Sequence, residues 1–169
     1  MAGEEKQGGK HSWRDSLGVV LPLVAFLLVL MFAAGLYLWQ QAEARRGRAE
    51  LAKANEAMGL PSDYPADEFP LFHEAKLVKA ERSAAVSDKG QPMDEWDIKA
   101  QSQASVDEVY HFYMGIARKR GMSQSTMFSA GGGYSVTYAD ARTELQFIIE
   151  RLPSSQATDI QLTVYRLRH

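Results

Sequence analysis

The sequence predicts an α+β protein with a single transmembrane helix. Three observations carry that expectation. Leu17 to Trp39 holds no charged side chain over 23 residues. An S-x-x-E signature at Ser105 opens an apolar stripe of helical period. Around that helix, several segments alternate apolar and polar residues with period two, as half-buried antiparallel strands do.

The apolar run is the feature most constrained by physics. At about 1.5 Å of rise per residue it makes roughly 35 Å of helix, enough to cross a hydrocarbon core of about 30 Å with some tilt. Every backbone N–H and C=O inside lipid must be paired within its own segment, so the span must be helical. Tyr37 and Trp39 sit at one end and Trp13 just outside the other, where an interfacial aromatic belt is found. Pro22 lies near the start of the span, where a missing N–H costs least. No G-x-x-x-G pair stands out, since Gly18 and Gly35 are far apart, so the motif for tight self-dimerisation is missing. A cleaved signal peptide is the alternative. Lys6, Lys10 and Arg14 would form its basic region and Ala42-Glu43-Ala44 its cleavage site, but apolar regions of signal peptides run only about 7–15 residues.

Residues 1–15 lack apolar periodicity and are expected to form a disordered tail, followed by the transmembrane helix at 16–40. Gln40 to Met58 is rich in Ala, Glu, Arg and Lys, which predicts a helical stalk over 41–59 that Gly59 and Pro61 end. Ala44, Gly47, Leu51, Ala54 and Met58 make a narrow seam along it, for a partner helix or the domain, unless the stalk is simply solvated. Arg45, Arg46 and Arg48 would lie at head-group level and meet anionic lipid. Lys and Arg beside the span are nearly balanced, and orientation is read from the short polar tail: N-terminus cytoplasmic, C-terminal domain extracytoplasmic.

Residues 60–74 contain Pro61, Pro65 and Pro70, which forbid helix and predict an extended linker. Tyr64, Phe69 and Phe72 within it are candidate docking anchors for a partner; the alternative is that they pack on their own domain. The soluble α+β domain is assigned to 75–169. Ala75–Ser87 and Met93–Ser102 read as strands joined by a turn at 88–92. Ser105 caps a helix whose stripe is Val106, Val109, Tyr110, Tyr113, Ile116 and Ala117, stopped by Gly121. Strands follow around Met127, at Tyr134–Tyr138, Leu145–Ile149 and Ile160–Val164. The order is β-β-α-β-β-β with a final strand, a small antiparallel sheet covered by one helix.

The S-V-D-E-V-Y-H-F-Y segment, the Tyr-Pro and Phe-Pro pairs before it and the glycine-broken strands after it carry a resemblance. Ser105, Glu108, Val109, Phe112, Tyr113 and Gly121 fit a "yP … S-x-x-E-V-x-x-F-Y … G-W" signature, with Met122 where an aromatic is usual. Over roughly residues 64–167 the chain resembles bacterial membrane- or lipid-anchored extracytoplasmic domains, mostly of unassigned function. The resemblance implies an extracytoplasmic α+β module and no known catalysis.

Composition narrows the function further. From Leu60 onward there are 12 Lys and Arg against 15 Asp and Glu, which argues against a nucleic-acid binder. The chain has no cysteine, so disulfides, thiol catalysis, iron–sulfur ligation and haem attachment through Cys are excluded. His11, His73, His111 and His169 have no metal-ligand spacing. Gly131-Gly132-Gly133 lacks the Lys-Ser/Thr of a phosphate loop and reads as a hairpin tip. Asp94, Glu95 and Asp97 alternate along a strand and read as a solvated edge. No G-x-S-x-G surrounds a serine. The expectation is a non-enzyme without cofactor. It would be an accessory or assembly subunit of a larger membrane complex, such as the respiratory and photosynthetic assemblies that carry single-span subunits. Its partners would be the lipid bilayer and other subunits, with no nucleic acid; a homo-oligomer is compatible but not indicated. The alternative is a membrane-anchored sensor or a ligand- or peptide-binding module.

Overall fold

A computed structural model describes residues 13–153 and 156–168, with side chains from Phe26 onward; most of the predicted tail, residues 1–12, lies outside them. The chain divides into two units, residues 1–48 and 49–169, each with its own internal contacts.

Helix α1 spans Trp13–Ala57 without interruption. It therefore takes in Trp13, Arg14 and Asp15, which the sequence assigns to a disordered tail, and merges the predicted span and stalk. Pro22 consequently lies inside the helix rather than in its first turn, at the cost of one backbone hydrogen bond there. Residues 26–40 are exposed throughout, with Met31 70% and Phe32 71% accessible. One helix near the N-terminus is thus long and apolar enough to cross a membrane.

In the second unit, six strands form one antiparallel sheet in the order β1-β2-β6-β5-β4-β3. Strand β1 is Lys76–Val86 and β2 is Pro92–Ser102. Helix α2, Val106–Lys119, follows β2 and delivers the chain to the far edge. There β3 (Ser123–Ala130), β4 (Gly133–Ala139), β5 (Thr143–Arg151) and β6 (Thr158–Leu167) meander back, so that β6 pairs with β2. Asp94, Glu95 and Asp97 therefore belong to an interior strand, not the edge the sequence suggested; Glu95 and Asp97 lie on the uncovered sheet face, while Asp94 lies at the rim of the core face beside Trp96.

Alternation along the strands sorts the two faces. Trp96, Ile98, Val136, Tyr138, Leu145, Phe147, Ile149, Ile160, Leu162 and Val164 are buried on one side. Helix α2 lies over β4 and β5 on that side, burying Val109, Tyr110, Tyr113 and Ala117, with Tyr110 stacked on Tyr134 at 4.3 Å. Its start is the expected capping box: the Ser105 Oγ accepts from Glu108 N, and a Glu108 carboxylate oxygen accepts from Ser105 N at 2.8 Å. The Ser105 backbone N–H, then its hydroxyl, holds the Glu108 carboxyl below its ordinary value, so the box loses this contribution as pH falls through that depressed value. Ser105→Ala is expected to cost about 1 kcal/mol of stability, read from the thermal midpoint by circular dichroism. At the β3–β4 turn Gly131 and Gly132 both have positive φ, +61° and +81°, the demand of a tight two-residue hairpin. A Cβ on Gly133 would stand 2.8 Å from the Ile149 carbonyl oxygen, so only glycine allows β5 this close.

Residues 60–74 are not a linker outside the domain. Leu60, Tyr64, Phe69 and Phe72 are all buried members of the core cluster. The prolines stiffen this segment, but its aromatics bind it to the sheet. The Tyr64 hydroxyl donates to the Phe69 carbonyl at 2.5 Å, and the Phe72 N–H donates to the Tyr113 hydroxyl at 3.2 Å. Trp96 Nε1 donates to Asp63 at 3.3 Å, and Arg82 pairs with the same carboxylate at 2.8 Å, which ties the segment to β1 and β2.

Candidate interaction surfaces

The residues the sequence nominated for membrane or partner contact fall into three groups. Tyr37 and Trp39 are exposed at 61% and 59%, and Gln41 Nε2 donates to the Tyr37 hydroxyl at 2.7 Å. Arg45, Arg46 and Arg48 are exposed and make no ion pair among the described residues. The Trp13 side chain lies outside the described residues. Tyr64 and Phe69 are 0% exposed and Phe72 is 5% exposed, which removes them as docking anchors. The surface they would offer a partner is already consumed by their own sheet, as the alternative reading had it.

The stalk seam is also displaced. Ala54 and Met58 are exposed, while Leu51 and Ala52 are half-buried and Asn55 is wholly buried. Asn55 Nδ2 donates to the Tyr64 carbonyl at 2.7 Å and lies 3.4 Å from that of Ser62, so the last turns of α1 and the proline segment are bonded to each other within the second unit. A polar residue among helix formers near a helix end was the only signal for this role. Its Oδ1 has no hydrogen-bond partner among the described residues.

On the uncovered sheet face, register sets Glu81, Asp97, Thr163 and Gln146 in one row across β1, β2, β6 and β5. Ser83, Glu95, Tyr165 and Glu144 form the next row. Ser83 donates to Glu95 at 2.6 Å and Thr163 donates to Asp97 at 2.8 Å. Burial, followed by Glu95, Asp97 and Glu144, pushes the Tyr165 phenol up to about 12, so it stays a neutral donor at physiological pH. This face is polar and mildly acidic.

On the core side, beyond the sheet's apolar rows, two ion-pair clusters close the rim. Asp94 receives Arg82 at 2.7 Å and Arg168 at 2.8 Å. Glu68 receives both Arg120, at 2.5 Å, and Arg166, at 2.8 Å. Sequence spacing does not reveal either cluster: Glu68 comes from the proline segment, Arg120 from the end of α2 and Arg166 from β6, while Arg82 is on β1, Asp94 on β2 and Arg168 just after β6.

Among the described residues no group of three or more His, Cys, Asp or Glu is placed to hold a metal ion. The His73 ring lies tilted against Phe72, centroids 4.4 Å apart, and His111 is exposed beside Tyr110. Two serine hydroxyls meet carboxylates, Ser83 with Glu95 at 2.6 Å on the uncovered sheet face and Ser105 with Glu108 at 2.8 Å in the helix cap. The described surface thus comprises an apolar helix, the exposed Arg45, Arg46 and Arg48 that follow it, and an α+β domain. Comparison with protein-family models, curated proteins and solved structures finds no match.

Proposed function

We propose that this chain is a non-catalytic, single-pass membrane protein, acting as an accessory or stabilising subunit of a larger membrane complex. The observation that carries the proposal is the unbroken exposure of the apolar side chains from Phe26 to Trp39. An apolar surface of that extent marks a membrane or partner interaction, since water exacts a hydrophobic cost of about 25 cal/mol for each Å² left open. A bilayer removes that cost. The Arg45, Arg46 and Arg48 collar then lies where anionic head groups and neighbouring subunits meet it. In this arrangement the N-terminus is cytoplasmic and the domain extracytoplasmic, and the domain braces the partner subunits through its surface residues rather than through Tyr64, Phe69 or Phe72.

Gentle extraction of native membranes in a mild detergent, followed by affinity purification, native electrophoresis and mass spectrometry, tests the assignment. The chain is expected to migrate with a defined set of larger membrane subunits, and replacing Arg45, Arg46 and Arg48 by glutamine is expected to reduce their recovery several-fold. A chain that is extracted and migrates alone under the same conditions overturns the subunit role.

A further inference from the structure

Arg120 at the end of α2, Arg142 in the β4–β5 turn and Arg166 on β6 line one cavity of about 280 Å³, together with Glu68 and Asp140. The lining thus holds three guanidiniums and two carboxylates. Both acids already have partners at this rim. A single Glu68 oxygen takes Nη2 of both Arg120 and Arg166. One Asp140 oxygen accepts the backbone N–H groups of Arg142 and Thr143, each at 2.8 Å, which shapes the turn that presents Arg142. Each guanidinium carries five donors in a fixed fork, so one shared carboxylate oxygen cannot saturate two of them. Arg120 is held in place besides by the Phe69 ring, 4.8 Å from its centroid, and the Arg120 and Arg166 side chains are only about a third exposed, 30% and 31%. Fixed, partly dehydrated guanidiniums around a small cavity are the donor set that recognises tetrahedral oxyanions.

We propose that this cavity binds a phosphate group, carried either by a soluble phosphate or by an anionic lipid head group. Glu68 then acts as the internal counter-ion that keeps Arg120 and Arg166 poised and competes with the ligand.

The test uses the full chain in a neutral detergent, with thermal unfolding followed while inorganic phosphate replaces chloride at constant ionic strength. A saturable rise of the midpoint is expected. Arg142→Gln, which keeps the turn's backbone hydrogen bonds, is expected to abolish most of the rise, as is Arg120→Gln. Glu68→Gln is expected to lower the midpoint without phosphate and to tighten phosphate binding about tenfold, since it removes a negative charge from the cavity. Ion pairs with a purely structural role give the loss of stability without the tighter binding. Repeating the titration with short-chain phosphatidylglycerol separates the two sources: a lipid site responds at lower concentrations of the lipid than of inorganic phosphate, a soluble-phosphate site the reverse. Absence of any saturable rise with either probe, or a rise that Arg142→Gln and Arg120→Gln leave unchanged, overturns the proposal. If Glu68→Gln fails to fold, the two arginine variants still decide it.

Discussion

Tyr64→Ala is expected to destabilise the second unit by about 3–5 kcal/mol, a large share of the roughly 5–15 kcal/mol that holds a typical domain together. Tyr64 is 0% exposed, its hydroxyl donates to the Phe69 carbonyl and its own carbonyl accepts from Asn55. Truncation therefore leaves an aromatic-sized hole and loosens the segment over the sheet. Tyr64→Phe separates the two contributions: it keeps the volume, strands the Phe69 carbonyl and should cost only about 1 kcal/mol. Chemical denaturation of the full chain in neutral detergent, followed by tyrosine and tryptophan fluorescence, measures both. A cost below about 1 kcal/mol for Tyr64→Ala would mean that residues 60–74 are a linker after all. The same side chain sets an alkaline limit. Burial, then the nearby Tyr113, raises the Tyr64 phenol well above its ordinary value, and burial raises Tyr113 likewise. The native state holds these protons longer than the unfolded chain, so the stability they confer is intact below about pH 10 and falls as pH rises beyond it.

Leu27→Arg combined with Met31→Arg is expected to move the chain out of the membrane fraction. Each arginine near the middle of a span costs about 2.5–3.5 kcal/mol by insertion scales, and the pair roughly 5–7 kcal/mol. The two positions are four apart, on one helix face, and both are exposed, 50% and 70%. Leu28→Arg with Phe32→Arg places the same charges on a face turned by about 100° and controls for a face that meets a protein partner. Alkaline carbonate washing and flotation of membranes distinguish the outcomes. Both double variants should be lost from the floating fraction, while Leu27→Ala with Met31→Ala should remain. Retention of both arginine pairs in carbonate-washed membranes removes the anchor, and with it the basis for a membrane subunit.

Local order was legible from single residues and their spacing. The Ser105–Glu108 box, the Val109, Tyr110, Tyr113 and Ala117 stripe and the Gly131-Gly132 hairpin tip all act within a few residues of chain, and each is where the pattern places it. Of the contact residues the sequence nominates, Tyr37, Trp39, Arg45, Arg46 and Arg48 on α1 are exposed as expected. Tyr64, Phe69 and Phe72 look from the sequence like aromatics on an exposed proline-rich tether, because period-free segments carry no sign of which surface they will cover. Asn55 carries no sign of its role in the sequence, because a buried asparagine differs from an exposed one only in what surrounds it.

The amino-acid order alone determined an apolar helix, a capped amphipathic helix and strands with one apolar face, because those properties follow from the charge-free run and from periods of 3.6 and 2. Only the tertiary structure decided that β6 inserts beside β2, that residues 60–74 roof the sheet with α2, and that Arg120, Arg142 and Arg166 share a cavity. Periodicity reports which side of an element is buried but not what buries it. The pairing of distant segments depends on long-range packing summed over the whole core, and no local pattern encodes that sum.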